Sequence, residues 1–97
     1  MEYKIREKAL EDLENIWLYT LKNWSIEQAD RYYNLIFDEI EYVAAFPLSG
    51  RDFSIIRKNY RYTKVESHII FYKYFKNKEI EVVRILHKNM EIEQIFS

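Results

Sequence analysis

The sequence predicts an α+β fold, in which an N-terminal antiparallel helix hairpin packs on a small twisted antiparallel β-sheet. Residues 7–46 carry apolar side chains at helical spacing, whereas residues 60–86 hold three runs rich in Tyr, Phe, Ile and Val. The only proline and the only glycine, Pro47 and Gly50, separate these two halves. With 97 residues, 48% of them hydrophobic, the chain is predicted to form a single domain over residues 1–97.

The first helix is predicted from Glu7 to Asn23. Before it, Tyr3, Lys4 and Ile5 alternate apolar and charged side chains, a pattern that favours a short edge strand. Within it, apolar residues recur at steps of three and four, which is typical of an amphipathic helix. The predicted apolar stripe consists of Leu10, Leu13, Trp17, Leu21 and Trp24.

The second helix is predicted to begin at Ser25, which forms a capping-box pattern with Gln28, and to end at Phe46 because Pro47 cannot continue it. The short link after Asn23 implies an antiparallel hairpin. The main stripe is predicted to be Ala29, Tyr33, Ile36, Ile40 and Val43. The apolar surface of the two helices exceeds what a small sheet can cover, which predicts a partner protein on it. Outside its main stripe the second helix carries Tyr32, Leu35, Phe37 and Tyr42, and the first helix adds Ile16 and Tyr19 beside Trp17.

Three strands are predicted over residues 60–65, 68–75 and 80–86, and residues 51–59 are predicted to be an irregular connection. The second strand carries large apolar groups on both faces, so it is predicted to be central. In the third strand, strict alternation predicts Ile80, Val82, Arg84 and Leu86 on one face and Glu81, Val83, Ile85 and His87 on the other. Gly50 is predicted to adopt a backbone conformation closed to other residues.

Charge is unevenly distributed although the net charge is only −1. Residues 1–50 hold five basic and ten acidic side chains, and residues 51–97 hold ten basic and six acidic ones. The basic half indicates either an anionic partner or strand edges that lysine keeps solvated, while the overall balance argues against a DNA-coating protein. The absence of cysteine and of any signal-peptide or membrane-span pattern predicts a cytoplasmic protein without disulfides.

No cofactor or metal is predicted, because one glycine cannot build a phosphate cradle and two distant histidines lack a short ligand spacing. A ribonuclease site would have to combine Arg61, Lys64, Arg84 and His87. Glu81 and His87 share a predicted strand face but lie roughly 20 Å apart, too far to act on one phosphate. Each candidate also has a structural alternative: Arg84 as the partner of a helix carboxylate, His87 as a cap of the sheet end that bonds to the backbone, and His68 as the first residue of its strand.

Five segments of the chain are familiar together: KALEDLENIWLYTLKNWSIEQADRYY, FPLSGR, YR, SHIIFYKY and IEVVRILHKNM. They resemble the ParE branch of the ParE/RelE toxins of bacterial type II toxin-antitoxin modules. The resemblance covers nearly the whole chain. It is most specific in the helix hairpin, at the break between the halves and at the end of the last strand: Asp12, Leu13, Ile16, Trp24, Gln28 and Ala29; Pro47 and Gly50 with Arg51; Arg84, Leu86, His87 and Met90. Asn59 replaces the family's frequent glycine before Tyr60, a change that the left-handed tolerance of asparagine accommodates.

The resemblance implies a helix hairpin on a twisted sheet and allows a short C-terminal helix. It also implies a ParD-like or other small antitoxin as partner and DNA gyrase as target. Specific DNA binding by the toxin alone is not expected. The antitoxin is expected on the seven apolar residues named above. The target is expected to contact residues gathered at one end of the sheet, namely Arg61, Lys64, Arg84, His87, Lys88 and Met90. The alternatives are a ribosome-dependent mRNA endonuclease of the RelE branch and a binding module without toxicity.

Overall fold

A computed structural model describes residues 3–96 and shows an α+β architecture, as predicted. The elements in chain order are β1 (Lys4–Ile5), α1 (Glu7–Asn23), α2 (Ile26–Ala45), β2 (Arg51–Asp52), β3 (Tyr60–Val65), β4 (His68–Tyr74), β5 (Ile80–His87) and α3 (Ile92–Phe96). The sheet has the order β1-β5-β4-β3-β2, and all pairs are antiparallel except β1 with β5. The central position of β4, the edge strand β1 and the C-terminal helix match the predictions. The short strand β2 lies in the segment predicted to be irregular.

The helix hairpin covers one face of the sheet, and the side chains between the two layers form the main core. Ser25 accepts a hydrogen bond from the Gln28 amide at 3.1 Å, so the predicted cap starts α2. The predicted stripe of α2 is wrong at one position, because Tyr32 is 8% exposed and Tyr33 is 37% exposed. Tyr32 turns inward because its hydroxyl finds polar partners at the β3–β4 turn. An interior tyrosine needs such partners.

The inner face of α1 is also shifted from the predicted stripe. Ala9 and Leu13 are buried, with Ile16 packed beside them, whereas Leu10 is 49% and Trp24 74% exposed. Ala9, Leu13 and Ile16 recur at steps of four and three, so they share one face of the helix, and Leu10 lies one position off that face. Trp24 follows the last helical residue, so the helical period no longer applies to it.

The second face of the sheet is covered by α3 and by the loop after β2. Phe96 of α3 packs on Phe71 of β4 with ring centroids 4.9 Å apart, and Phe53 of the loop packs on the same ring at 5.1 Å. Arg57 donates to the Phe96 carbonyl at 2.8 Å, which joins the loop to the helix. This irregular segment therefore contributes an aromatic part of the core, which its lack of periodicity did not predict.

A β-bulge in β5 makes the predicted face assignment of that strand wrong. Phe71 pairs with Arg84 and its neighbour Tyr72 pairs with Val82, so Val83 is the extra residue. Beyond the bulge the side chains change face. Val82 and Ile85 lie in the core cluster under the helices, while Val83 and Leu86 lie in the cluster under α3.

Gly50 and Asn59 were predicted to have an unusual backbone conformation, and only Asn59 has it. Gly50 does not have a positive φ, so the predicted reason for its glycine is wrong. A Cβ atom at Gly50 would lie 2.2 Å from the Tyr72 hydroxyl, so a close approach requires glycine there. Asn59 has φ 67°, the left-handed conformation that its side chain was expected to tolerate.

Candidate functional site

An open groove of about 900 Å³ lies between α1, the start of α2 and one end of the sheet. We call that end the groove end; it consists of the β3–β4 turn at residues 65–68 and the end of β5 with residues 87–90. Antiparallel pairing places His68 directly opposite His87 there. The groove is lined mainly by aromatic and polar side chains: Asp12, Asn15, Ile16, Tyr19, Thr20, Trp24, Gln28, Arg31, Tyr32, Glu66, Ser67, His68, Ile85, Leu86, His87 and Met90.

His68 and His87 form the sheet side of the groove, with their rings edge-to-face and 5.3 Å apart. The Tyr32 hydroxyl lies 2.6 Å from Nδ1 of His68 and 3.0 Å from the Val65 carbonyl, and it accepts from the Ser67 amide at 3.3 Å. Burial, followed by the neighbouring His87, lowers the pKa of His68 to about 4. His68 is therefore neutral at neutral pH and fixes the turn rather than supplying positive charge.

The structural alternatives predicted for His87 and His68 are both observed. His68 is the first residue of β4, and Nδ1 of His87 accepts from the Asn89 amide at 3.1 Å. That contact leaves Nε2 as the protonated nitrogen of a neutral His87 ring.

Arg84 is held by a carboxylate that lines the groove. Asp12 of α1 accepts from Arg84 Nε at 2.8 Å and from Nη2 at 3.0 Å, and both side chains are largely buried. The hydrogen bond to Asp12 raises the pKa of Arg84. The alternative in which Arg84 pairs with a helix carboxylate is confirmed, and its guanidinium is not a free cation for a target.

The upper rim of the groove carries exposed aromatic and charged groups. Trp24 and Tyr19 are 74% and 65% exposed. Arg31 and Glu66 form an exposed ion pair at 3.6 Å across the mouth of the groove, between α2 and the β3–β4 turn. Exposed aromatic side chains beside polar groups are typical of a protein-binding site.

The sheet does not bring the predicted target-binding residues together. His87, Lys88 and Met90 lie at the groove end and Lys64 is next to it, but Arg61 lies near the opposite end, which we call the hairpin end (residues 57–61 and 73–80). Arg61 is opposite Tyr72, four residues along β4 from His68, so its Cα is roughly 16 Å from that of His87. The prediction that Arg61 shares an end of the sheet with His87 is therefore wrong, because β3 runs away from that end.

The predicted antitoxin-binding residues also divide into groups. Ile16 and Tyr19 line the groove, but Tyr32 is buried and contributes only an edge. Two more residues, Leu35 and Phe37, pack against the core, and Trp17 donates to Asp30 at 3.0 Å between the helices. Tyr42 is 53% exposed at the far end of α2. These seven residues thus do not form one continuous surface.

Trp24 and Met90 also line the groove. Each lies just after a regular element of the chain, a position that favours an exposed side chain. Trp24 stands between the last residue of α1 and the N-cap Ser25, where no helical face is defined. Met90 follows the last strand and is 48% exposed.

Within residues 3–96, no group of three or more His, Asp or Glu side chains is arranged to hold a metal ion, and no helix is long and apolar enough to cross a membrane.

The fold and the groove define a small α+β protein with a helix hairpin and an open groove lined by aromatic and polar side chains. Residues 3–92 match the model of the family described as ParE toxin of type II toxin-antitoxin system, parDE. The chain is 35% identical over 92 residues to Toxin ParE1 of Mycobacterium tuberculosis, covering 95% of this chain and 94% of that protein. It is 33% identical over 88 residues to Toxin ParE1 of Caulobacter vibrioides, covering 91% and 90%.

The chain belongs to the ParE toxin family of type II toxin-antitoxin systems. A solved structure described as the chromosomal ParDE TA system from P. aeruginosa has the same fold, with a TM-score of 0.75 and 21% identity. That match covers 90% of this chain and 95% of the other. The resemblance noted in the sequence is confirmed.

Proposed function

We propose that this protein inhibits DNA gyrase by binding to it, and that an antitoxin neutralises it by occupying the groove. The observation that carries the proposal is the similarity to ParE1 toxins over at least nine-tenths of both chains. The arrangement of the ionisable groups supports binding rather than catalysis. Arg61 and His87 are at opposite ends of the sheet, and Arg84 is neutralised by Asp12.

The mRNA endonuclease alternative finds less support in the geometry. Metal-free cleavage needs an acid, a base and a cation within hydrogen-bond reach of one phosphate. The two histidines are close together, but Nδ1 of His68 lies against the Tyr32 hydroxyl, and Arg84 is paired with Asp12. The proposed toxin therefore acts as a protein that holds its target in an inhibited state.

The experiment measures both activities in parallel with the purified full chain. Gyrase supercoiling of a relaxed plasmid and cleavage of ribosome-bound mRNA are followed over the same toxin concentrations. Inhibited supercoiling with intact mRNA is the expected result. Cleaved mRNA together with unaffected gyrase establishes the endonuclease alternative instead, and no effect in either assay supports a binding module without toxicity.

Antitoxin binding is tested at the exposed rim of the groove. Removing an aromatic anchor at the centre of an interface typically costs 2 kcal/mol or more, which corresponds to about a 30-fold weaker affinity. Trp24→Ser is expected to weaken binding of the product of the adjacent small gene by about that factor. Ile55→Ser is the matched control, because Ile55 is 92% exposed and lies outside the groove. Equal affinities of the two variants place the antitoxin elsewhere.

A further inference from the structure

The positive charge of the sheet is concentrated toward the hairpin end. Residues 51–62 and 72–82, which surround that end, contain seven basic and three acidic side chains, a net charge of +4. The segments around the groove end, residues 63–71 and 83–91, contain three basic and two acidic ones, a net charge of +1. Along the sequence the segments of the two ends alternate. Strand pairing in the folded chain places them at opposite ends of the sheet.

The seven cations around the hairpin end come from different parts of the chain that the fold brings together. The Tyr74 amide donates to the Asn59 carbonyl at 2.9 Å, so the loop before β3 lies beside the β4–β5 hairpin. Lys58, Lys76 and Lys78 are exposed on these two turns. The ion pairs found within residues 3–96 use Arg6, Lys8, Arg31 and Arg84, and none of these is one of the seven.

Part of this basic surface is anchored to the backbone. Arg61 donates to the Gly50 carbonyl at 2.7 Å, and Arg57 donates to the Phe96 carbonyl at 2.8 Å. These carbonyls fix the guanidinium groups without cancelling their charge. Asn59 and Lys78 hold left-handed conformations that define the two turns. The result is a positively charged surface on a preformed scaffold, which reduces the conformational entropy lost on binding an anion.

We propose that the hairpin end binds duplex DNA through its phosphates, without recognising base sequence. Five strands at about 4.8 Å spacing span roughly 19 Å, a width that matches about five to six base pairs along a duplex. Lysine acts as a mobile point charge, which suits phosphate contact rather than recognition of a base edge. The inference deepens the proposed function, because an inhibitor that touches both gyrase and its DNA is held at the enzyme–DNA complex.

An acidic protein segment is the competing partner for a basic surface. An amphipathic acidic segment needs apolar contacts, and the groove already provides exposed aromatic side chains for them. The tip of the hairpin, residues 76–79, offers only Lys, Asn and Glu side chains. This tip presents charge without an apolar side chain, and Phe75 beside it is 36% exposed. Lysine charges alone can contact phosphates, so the tip fits a nucleic-acid backbone better than a folding peptide.

The experiment uses the full chain and a fluorescently labelled duplex of about 20 base pairs with random sequence, followed by anisotropy. If about four phosphates are contacted, log K should fall with log salt at a slope of about −3.6. Raising the salt from about 50 to about 200 mM should then weaken binding roughly 150-fold. No binding at the lower salt concentration overturns the proposal.

Two triple variants locate the site. Lys58→Gln, Lys76→Gln and Lys78→Asn remove three charges at the hairpin end, with asparagine chosen because Lys78 has φ 68°. The matched control removes three exposed lysines nearer the groove end, at positions 22, 64 and 88. Losing most of the phosphate contacts should weaken binding at least tenfold in the first variant, while the control stays within about threefold. Thermal melting verifies that both are folded.

The remaining outcomes separate this proposal from its competitors and from the proposed function. Equal losses in the two variants indicate a diffuse charge effect, and tighter binding of polyglutamate or of single-stranded RNA indicates another partner; each overturns the proposal. Duplex binding without an effect on gyrase supercoiling contradicts the proposed function but not this inference. Inhibited supercoiling without duplex binding removes this inference alone.

Discussion

The carboxylate of Asp12 binds Arg84 through two hydrogen bonds, although the two residues are 72 positions apart. The same carboxylate accepts from the Ile85 amide at 2.9 Å. The neighbouring strand β1 pairs only with Glu81 and Val82, so this amide lies beyond the paired part of the edge. Asp12 therefore supplies the acceptor that a longer β1 would have provided, and it fixes α1 beside the bulge in β5.

Replacing Asp12 is expected to cost considerable stability. The Asp12→Ala variant leaves the Arg84 guanidinium and the Ile85 amide without their acceptor in a largely buried position. Losing one partner of such a pair typically costs about 3 kcal/mol. Urea denaturation should therefore show a lower midpoint with an unchanged slope. A loss below about 0.5 kcal/mol would contradict this structural role.

A double-mutant cycle separates the charge from the backbone contact. Arg84→Met alone leaves Asp12 with the Ile85 amide, while Asp12→Ala with Arg84→Met removes both charges. The double variant should be less destabilised than the sum of the single variants, with a coupling of about 1–3 kcal/mol. Additive losses would show that the two side chains do not interact in solution.

The contact between Gly50 and Tyr72 predicts a second stability effect. The Tyr72 hydroxyl donates to the Pro47 carbonyl at 2.7 Å and accepts from the Gly50 amide at 3.1 Å. Gly50→Ala should lower stability by about 1–3 kcal/mol, because the new Cβ displaces that hydroxyl. In a Tyr72→Phe background the same substitution should cost less. An equal cost in both backgrounds, measured by urea denaturation, would contradict the close contact.

Stability is expected to fall as the pH is lowered below neutrality. The pKa of His68 is about 4 in the folded protein, against an ordinary value of 6.5 in the unfolded chain. Between these values the unfolded state binds more protons, so stability is full above about pH 6.5 and declines down to about pH 4. Because solvent reaches the half-buried ring, we expect a loss of about 1–2 kcal/mol. Urea midpoints at several pH values should vary less in His68→Gln than in the unmodified protein or in His87→Gln.

The two neighbouring tyrosines of α2 provide a matched comparison. The Tyr32 hydroxyl is buried against the Val65 carbonyl and His68, whereas Tyr33 is partly exposed. Tyr32→Phe should lower stability by about 1–2 kcal/mol, because it leaves buried polar groups without a partner. Tyr33→Phe should change it by less than about 0.5 kcal/mol. Thermal melting of both variants checks this, and a reversed order would contradict the inward position of Tyr32.

The sequence by itself determined the fold class and most element boundaries. The capping pair Ser25 and Gln28 fixed the start of α2, because it acts within one helical turn. The central strand was identifiable because large apolar side chains on both faces require cover on both sides. These features are local, so periodicity and spacing are enough to predict them.

Tertiary structure decided which side chains meet. Whether Tyr32 or Tyr33 is buried depended on a hydrogen-bond partner in a distant turn, and both positions fit a broad helical stripe. The bulge at Val83 reversed the faces of β5, and no local pattern marked it. Strand direction separated Arg61 from His87 and gathered the lysines of two turns at the hairpin end. The groove and the basic surface therefore arise from long-range pairing, which a sequence pattern read within a few residues does not contain.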